Sequence, residues 1–195
     1  MAVGADETYW VTDPDQLALL TSARRHDMID RLASAGPMSI RQLAEQIGAK
    51  PSALYHHVER MLGVGLIVEA GSRVVRRKRE QLYATPAPRM RLNRALAQEQ
   101  HPAIMRDIVA SLTRQMARDF DKGGRSSIRV VDGADKNYGF FRLVGRPSPA
   151  QLAQLNACLL EIAEILWKSD DPAAPLIGLG WVMAPLDADD SANPA

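Results

Sequence analysis

The chain has 195 residues, 46% hydrophobic, 24% charged and only 5% aromatic, which allows one domain with an extension or two small ones and argues against wholesale disorder. Collagen-like, disulfide-rich and membrane-spanning classes are excluded. The lone Cys158 has no internal partner and suits a reducing cytoplasm, and the longest apolar run, Leu176 to Ala184, lies between Pro175 and Pro185, far short of the ~20 residues a spanning helix needs. Asp6 and Glu7 stand where a secretory leader carries Lys or Arg, so the expected location is cytoplasmic. The formal net charge of +1 hides an asymmetry: residues 1–20 carry net −4, 21–88 net +5, 89–148 net +6 and 149–195 net −6. A basic middle between acidic ends points to a polyanionic partner.

In chain order, residues 1–12 show no helical stripe and read as an N-terminal arm, with a short strand expected through Tyr9, Trp10 and Val11. Asp13-Pro14 is a helix-start signal, and Leu17, Leu20, Met28, Ile29 and Leu32 then recur at helical spacing until Gly36-Pro37. Ser39 is the expected cap of a short helix carrying Ile40, Leu43, Ala44 and Ile47, closed by Gly48 as a left-handed residue. A third helix, about 51–62, starts at Pro51 and buries Leu54, Val58 and Met61. Residues 66–69 and 80–83 read as strands, Gly71-Ser72 as a bend, and the cationic run Arg73 to Arg79 as the loop between them.

Pro86 and Pro88 end this unit. Residues 89–121 then read as helical with a break at His101-Pro102, striped by Ile104, Ile108, Leu112, Met116 and Phe120. Strands are expected at 128–131 and 138–144, a helix from Ser148-Pro149 striped by Leu152, Leu155, Leu159, Ile162 and Leu166, and a further strand-like segment at 176–183. There is no internal repeat. The expected fold is mainly α with small β: an arm (1–12), a winged helix-turn-helix domain (13–88), a C-terminal α/β extension with long helices (89–185) and a flexible acidic tail (186–195).

The segment 39–67, SIRQLAEQIGAKPSALYHHVERMLGVGLI, meets a specific physical demand. Two short helices must cross steeply through a tight turn, and the second must turn its outer face toward a DNA major groove. Packing of Leu54, Val58 and Met61 leaves Ser52, Tyr55, His56 and Glu59 facing outward. From Asp13 to Tyr83 the chain resembles the winged helix-turn-helix domain of ArsR-type transcriptional regulators, through TDPDQL (12–17), IRQLAEQIG (40–48), SALYHHV (52–58), GLI (65–67) and REQLYATP (79–86), taken in that order and spacing.

The resemblance implies that Tyr55 and His56 read base edges, that Lys50 and Ser52 meet phosphate at the start of the recognition helix, and that Ser39 and Arg41 open a phosphate-clamping helix. His57 falls at a position facing the interior. The wing, about 71–79, places Arg73, Arg76, Arg77, Lys78 and Arg79 against the phosphate backbone, each neutralised phosphate adding ~0.9 to the salt slope. The expected function is a sequence-specific regulator of transcription, of repressor type, acting on double-stranded DNA as a homodimer. Ile104, Ile108, Leu112, Met116, Leu152, Leu155, Leu159 and Ile162 are the candidate dimer residues, though the same stripes suit an intramolecular core.

No cofactor, metal or enzymatic activity is expected. His56-His57 are neighbours that cannot share a helix face, His26 and His101 stand alone, and Cys158 beside Leu159 reads as a small hydrophobe. Gly178-Leu179-Gly180 is too short for a dinucleotide fingerprint, and Lys122-Gly123-Gly124-Arg125-Ser126 lacks Walker spacing. Two alternatives stand beside the main reading. One is a small-molecule effector pocket lined by Phe140, Phe141, Trp167 and Trp181; the other is a winged helix that binds protein rather than DNA.

Overall fold

The computed structural model describes residues 8–97, 101–171 and 173–186. Most of the expected arm (1–12) and nearly all of the expected acidic tail (186–195) therefore lie outside the described residues. The fold is mainly α with a small β part. In order it runs β1 (Thr8–Trp10), α1 (Pro14–Leu19), α2 (Ala23–Ala35), α3 (Ile40–Ile47), a 3-10 turn (Pro51–Ala53), α4 (Tyr55–Gly63), β2 (Val68–Val75), β3 (Lys78–Ala84), β4 (Arg89–Arg91), α5 (Asn93–Ala97), α6 (Pro102–Gly124) and α7 (Pro149–Trp167).

The helix expected to run from Asp15 to Gly36 is two helices. Asp13 caps α1 by accepting the N–H of Asp15 at 2.8 Å and of Gln16 at 3.2 Å. The chain breaks after Leu20, where the Thr21 hydroxyl donates back to the Ala18 carbonyl at 2.8 Å, and Ser22 adopts extended backbone to restart as the α2 cap. Arg25 reaches across the break and donates to the Leu19 carbonyl at 2.7 Å, satisfying a group that α1 leaves open. The bend turns Leu17, Leu20, Met28 and Leu32 into one core, each at most 2% exposed.

The next helix starts as expected. Ser39 and Gln42 form a reciprocal capping box, and Gly48 closes α3 in the left-handed region at φ 66°. The helix expected at 51–62 begins as the 3-10 turn and becomes α-helical only at Tyr55. Leu54, fully buried, is the joint between the two, and Val58 and Met61 continue its buried stripe.

Strands β2 and β3 are longer than the expected 66–69 and 80–83. Gly71-Ser72 is no bend between strands. The register shifts there by one residue as a bulge inside β2, with Gly71 at φ 93°. The hairpin then continues through pairs Arg73–Glu80, Val74–Arg79 and Val75–Lys78, and its turn is only Arg76-Arg77. Met38 and Tyr83 exchange backbone hydrogen bonds of 2.9 and 2.8 Å, which fixes the hairpin to the start of α3. A second sheet is parallel: β1 pairs with β4, so residues 89–91, expected to be helical, form a strand.

The second half departs furthest from expectation. The expected strands at 128–131, 138–144 and 176–183 do not form; those residues belong to no helix or sheet. Asn137 occupies the edge that a strand would use. Its side chain accepts from the Val130 N–H and donates to the Ile128 carbonyl, both at 2.8 Å. No described residue after Ser111 is buried. The core thus sits around α1–α4 and the first half of α6, with Leu66, Ile67 and Ile108 closing it.

Candidate nucleic-acid interface

The α3–turn–α4 unit is assembled by backbone before any side chain points outward. Gly48 donates to the Ala44 and Glu45 carbonyls, and the Ala49 N–H reaches the Ala44 carbonyl at 2.8 Å, so the chain reverses in a single left-handed step. With Leu54, Val58 and Met61 packed inward, Lys50, Ser52, Tyr55, His56 and Glu59 all stand exposed, Tyr55 at 61%. His57, on the inner edge, is half-buried, and its pKa is lowered by burial and then by Arg25, His56, Arg24 and Arg60.

The cations expected on the hairpin divide into two groups. Arg76, Arg77 and Lys78 sit at the tip, exposed and without a side-chain polar partner among the described residues. Both turn residues are left-handed, Arg76 at φ 48° and Arg77 at φ 65°, where Asn and Gly are the usual occupants. The other cations are engaged. Arg79 donates from Nε to the Ser72 hydroxyl at 2.8 Å. Arg73 is half-buried and grips the Glu80 carboxylate through Nε at 3.0 Å and Nη2 at 2.9 Å, with Nη2 also 3.3 Å from the Ser39 hydroxyl.

Arg41, on the first turn of α3, holds the other Glu80 oxygen at 2.9 Å. Glu80 therefore sits between two guanidiniums. Those hydrogen bonds, Arg41's and then Arg73's, hold its carboxyl down to about 2. Two expectations are corrected here. Ser39 is 2% exposed and commits its hydroxyl to the Gln42 N–H and Arg73, so it is an internal cap rather than an outward contact. Arg73 is an internal brace rather than part of a free cationic loop. Glu80 was legible only as a strand residue, because its role depends on the fold bringing α3 beside β3.

The dimer candidates also divide. Ile108 is buried, and Ile104 and Leu112 pack against the chain's own core, so these three belong to the intramolecular core. Met116, Leu152, Leu155 and Ile162 are exposed, and Leu159 is half-buried. The four residues suggested for an effector pocket do not enclose one. Phe140 and Phe141 are more than four-fifths exposed and Trp181 is about half exposed. Trp167 instead lies under Arg91, 4.4 Å from its ring centroid, and Arg89, at 5.1 Å. Among the described residues no three His, Cys, Asp or Glu side chains are grouped to hold a metal ion, and no helix is long and apolar enough to cross a membrane.

Residues 20–78 match the HVO_A0114 family model. The match begins at the α1–α2 break and ends just past the hairpin tip, under a third of the chain. No curated protein matches the chain. Among solved structures, it is similar at 17% identity to the crystal structure of RV1404 from Mycobacterium tuberculosis, over 77% of this chain and 81% of that one, with a TM-score of 0.30.

Proposed function

We propose that this chain is a sequence-specific, double-stranded-DNA-binding regulator of transcription, of repressor type and without enzymatic activity, acting as a homodimer. In this reading residues 13–88 are a winged helix-turn-helix domain of ArsR type. The 3-10 turn and α4 enter the major groove, and the β2–β3 hairpin is the wing. The observation that carries it is the pairing of an open Tyr55–His56 helix face with a hairpin tip of three unneutralised cations. Base edges are read by polar and aromatic side chains at the start of such a helix, while phosphates take cations that owe nothing to a carboxylate. A wing that docked on protein would gain little from Arg76, Arg77 and Lys78 in succession, and that weighs against a protein-binding module.

Binding to a duplex selected from genomic fragments, measured at two salt concentrations, tests the reading. Tyr55→Ala and His56→Ala are expected to cost ~1–3 kcal/mol each on the selected duplex and much less on random duplex. Arg76→Ala and Arg77→Ala are expected to weaken both duplexes alike. Each phosphate left without its cation is expected to lower the salt slope by about one per subunit. Salt-insensitive binding, or no fragment selected at all, overturns the proposal.

A further inference from the structure

The C-terminal half of the chain has the composition of a core and the exposure of a surface. After Ser111 no described residue is buried, yet this stretch carries Phe140, Phe141, Leu143, Leu155, Trp181 and Val182, all between 44% and 85% exposed. Apolar patches on lone chains rarely exceed a few hundred Å². The accessible surface of the whole chain is 14014 Å², whereas a folded monomer of 21.4 kDa is expected to expose about 9,100 Å².

Backbone groups point the same way. Residues 139–145 and 175–186 make no backbone–backbone hydrogen bond among the described residues, and 125–148 run without helix or strand, longer than irregular connections in compact domains usually are. These segments have apolar strand sequences and lack only neighbouring strands. Helix α7 is bare in the same sense. Its capping box makes it a well-formed helix of 19 residues, but Leu152, Leu155, Leu160, Ile162 and Ile165 are each at least 37% exposed.

We infer that this half is completed by a second copy of the chain, α7 packing along its counterpart about a two-fold axis, with segments 138–144 and 176–183 taking backbone partners across the same interface. The inference deepens the homodimer of the proposed function and locates it in the region after Ser111 rather than on the first half of α6. Three observations select a second copy over an unrelated partner. The excess, about 4,900 Å² on each chain, is far above the share of a transient contact, under ~1,200 Å² over both partners, and more than covers the share that obligate homodimers of roughly 2,000–5,000 Å² in total require. The 3–4 spacing of Leu152, Leu155, Leu159, Ile162 and Leu166 is a seam that an identical helix fits. Both unpaired apolar segments belong to the same chain, so a two-fold that pairs one with the other across the interface does so twice and gives each a backbone partner.

A two-fold centred on the Leu152–Leu166 seam of α7 places the middle residue of that seam, Leu159, at the axis, and Cys158 is its neighbour. Cys158 is exposed there and is the chain's one cysteine, which makes it a built-in probe. The test is sedimentation of the full chain with a short bis-maleimide cross-link at Cys158, and amide hydrogen exchange on 138–144 and 176–183. The expected result is a species of twice 21.4 kDa, a cross-linked dimer that Cys158→Ser abolishes, and protected amides in both segments. Leu155→Glu is expected to shift the mass toward the monomer and to release that protection. A wild type that stays monomeric at high micromolar concentration overturns the inference. So does a dimer that neither cross-links at Cys158 nor protects those amides. A dimer with these properties that binds no selected duplex sinks the DNA reading alone, and a monomer that binds it sinks only this inference.

Discussion

Arg76 and Arg77 occupy both central positions of the hairpin turn with positive φ, a conformation that costs an L-residue with a Cβ ~1–2 kcal/mol in the left-handed region. Asn-Gly would form the same turn with less strain, so the arginines are held there by the longer strand pairing on either side. Arg77→Gly relieves one strained residue but adds freedom to the unfolded chain, so a net gain in stability of up to ~1 kcal/mol is expected. The same change removes a tip cation and is expected to weaken duplex binding. Thermal unfolding and a binding titration on one variant check both signs. A variant that loses stability and keeps its affinity contradicts the strain argument and the wing assignment together. Glu80 shows the opposite economy, since one carboxylate holds Arg41 and Arg73 in place while the tip cations remain free.

At the scale of elements, α3 is specified by its ends. Ser39→Ala removes the cap of α3 and a partner of Arg73 at once, with an expected loss of ~1–2 kcal/mol. Gly48→Ala meets no atom within 4 Å, so its cost is backbone strain alone, ~1–2 kcal/mol at φ 66°. Denaturant midpoints of the two variants check these values, and an unchanged Gly48→Ala midpoint would show that the turn adapts to a side chain without strain. Helix α6 has a contrary case. Ser111 is fully buried and its hydroxyl has no hydrogen-bond partner, so it carries a desolvation cost inside the helix. Ser111→Ala is expected to stabilise the chain by a few tenths to ~1 kcal/mol, read from the same midpoint, and a clear loss would mean that the hydroxyl has a partner.

For the whole molecule, two inward histidines and Asp30 act on the pH response of stability with opposite signs: burial, then Asp27, pushes the Asp30 carboxyl up to about 6, so the folded chain takes up that proton first on acidification. Burial lowers the pKa of His26, against a hydrogen bond with the Leu20 backbone that raises it, and burial with nearby Arg25 lowers that of His57. Both folded values lie below 6.5, so on acidification the unfolded chain takes up protons first. Their contribution is therefore complete above the unfolded value and is lost as pH falls through it toward the folded values. Glu80, held down to about 2, stays ionised over this window. Because Asp30 gains over the same window, the histidine contribution is read by difference: between about pH 7.5 and about pH 5 the urea midpoint of His57→Gln is expected to fall less, or rise more, than that of the wild type. A His57→Gln variant with the same change of midpoint as the wild type would mean that His57 loses no proton on folding. Because α1 through α4 enclose both residues, this titration reports on the N-terminal unit.

What the amino-acid sequence determined by itself was the local grammar of the first half. Asp13, Ser39, Gly48 and Pro51 act within one helical turn, so their effect does not wait for the rest of the fold, and the inward set of Leu54, Val58 and Met61 follows from period alone. Tertiary structure decided everything that needed a distant neighbour. The α1–α2 break depends on Arg25 reaching Leu19, and residues 89–91 become a strand because β1 lies beside them. Glu80 matters because α3 packs over β3, which withdraws Ser39 and Arg73 from the outer surface. The segments 138–144 and 176–183 carry strand-like sequences, but a strand exists only where another backbone accepts its hydrogen bonds, and among the described residues only the Tyr138 N–H, on the Val130 carbonyl, finds one there.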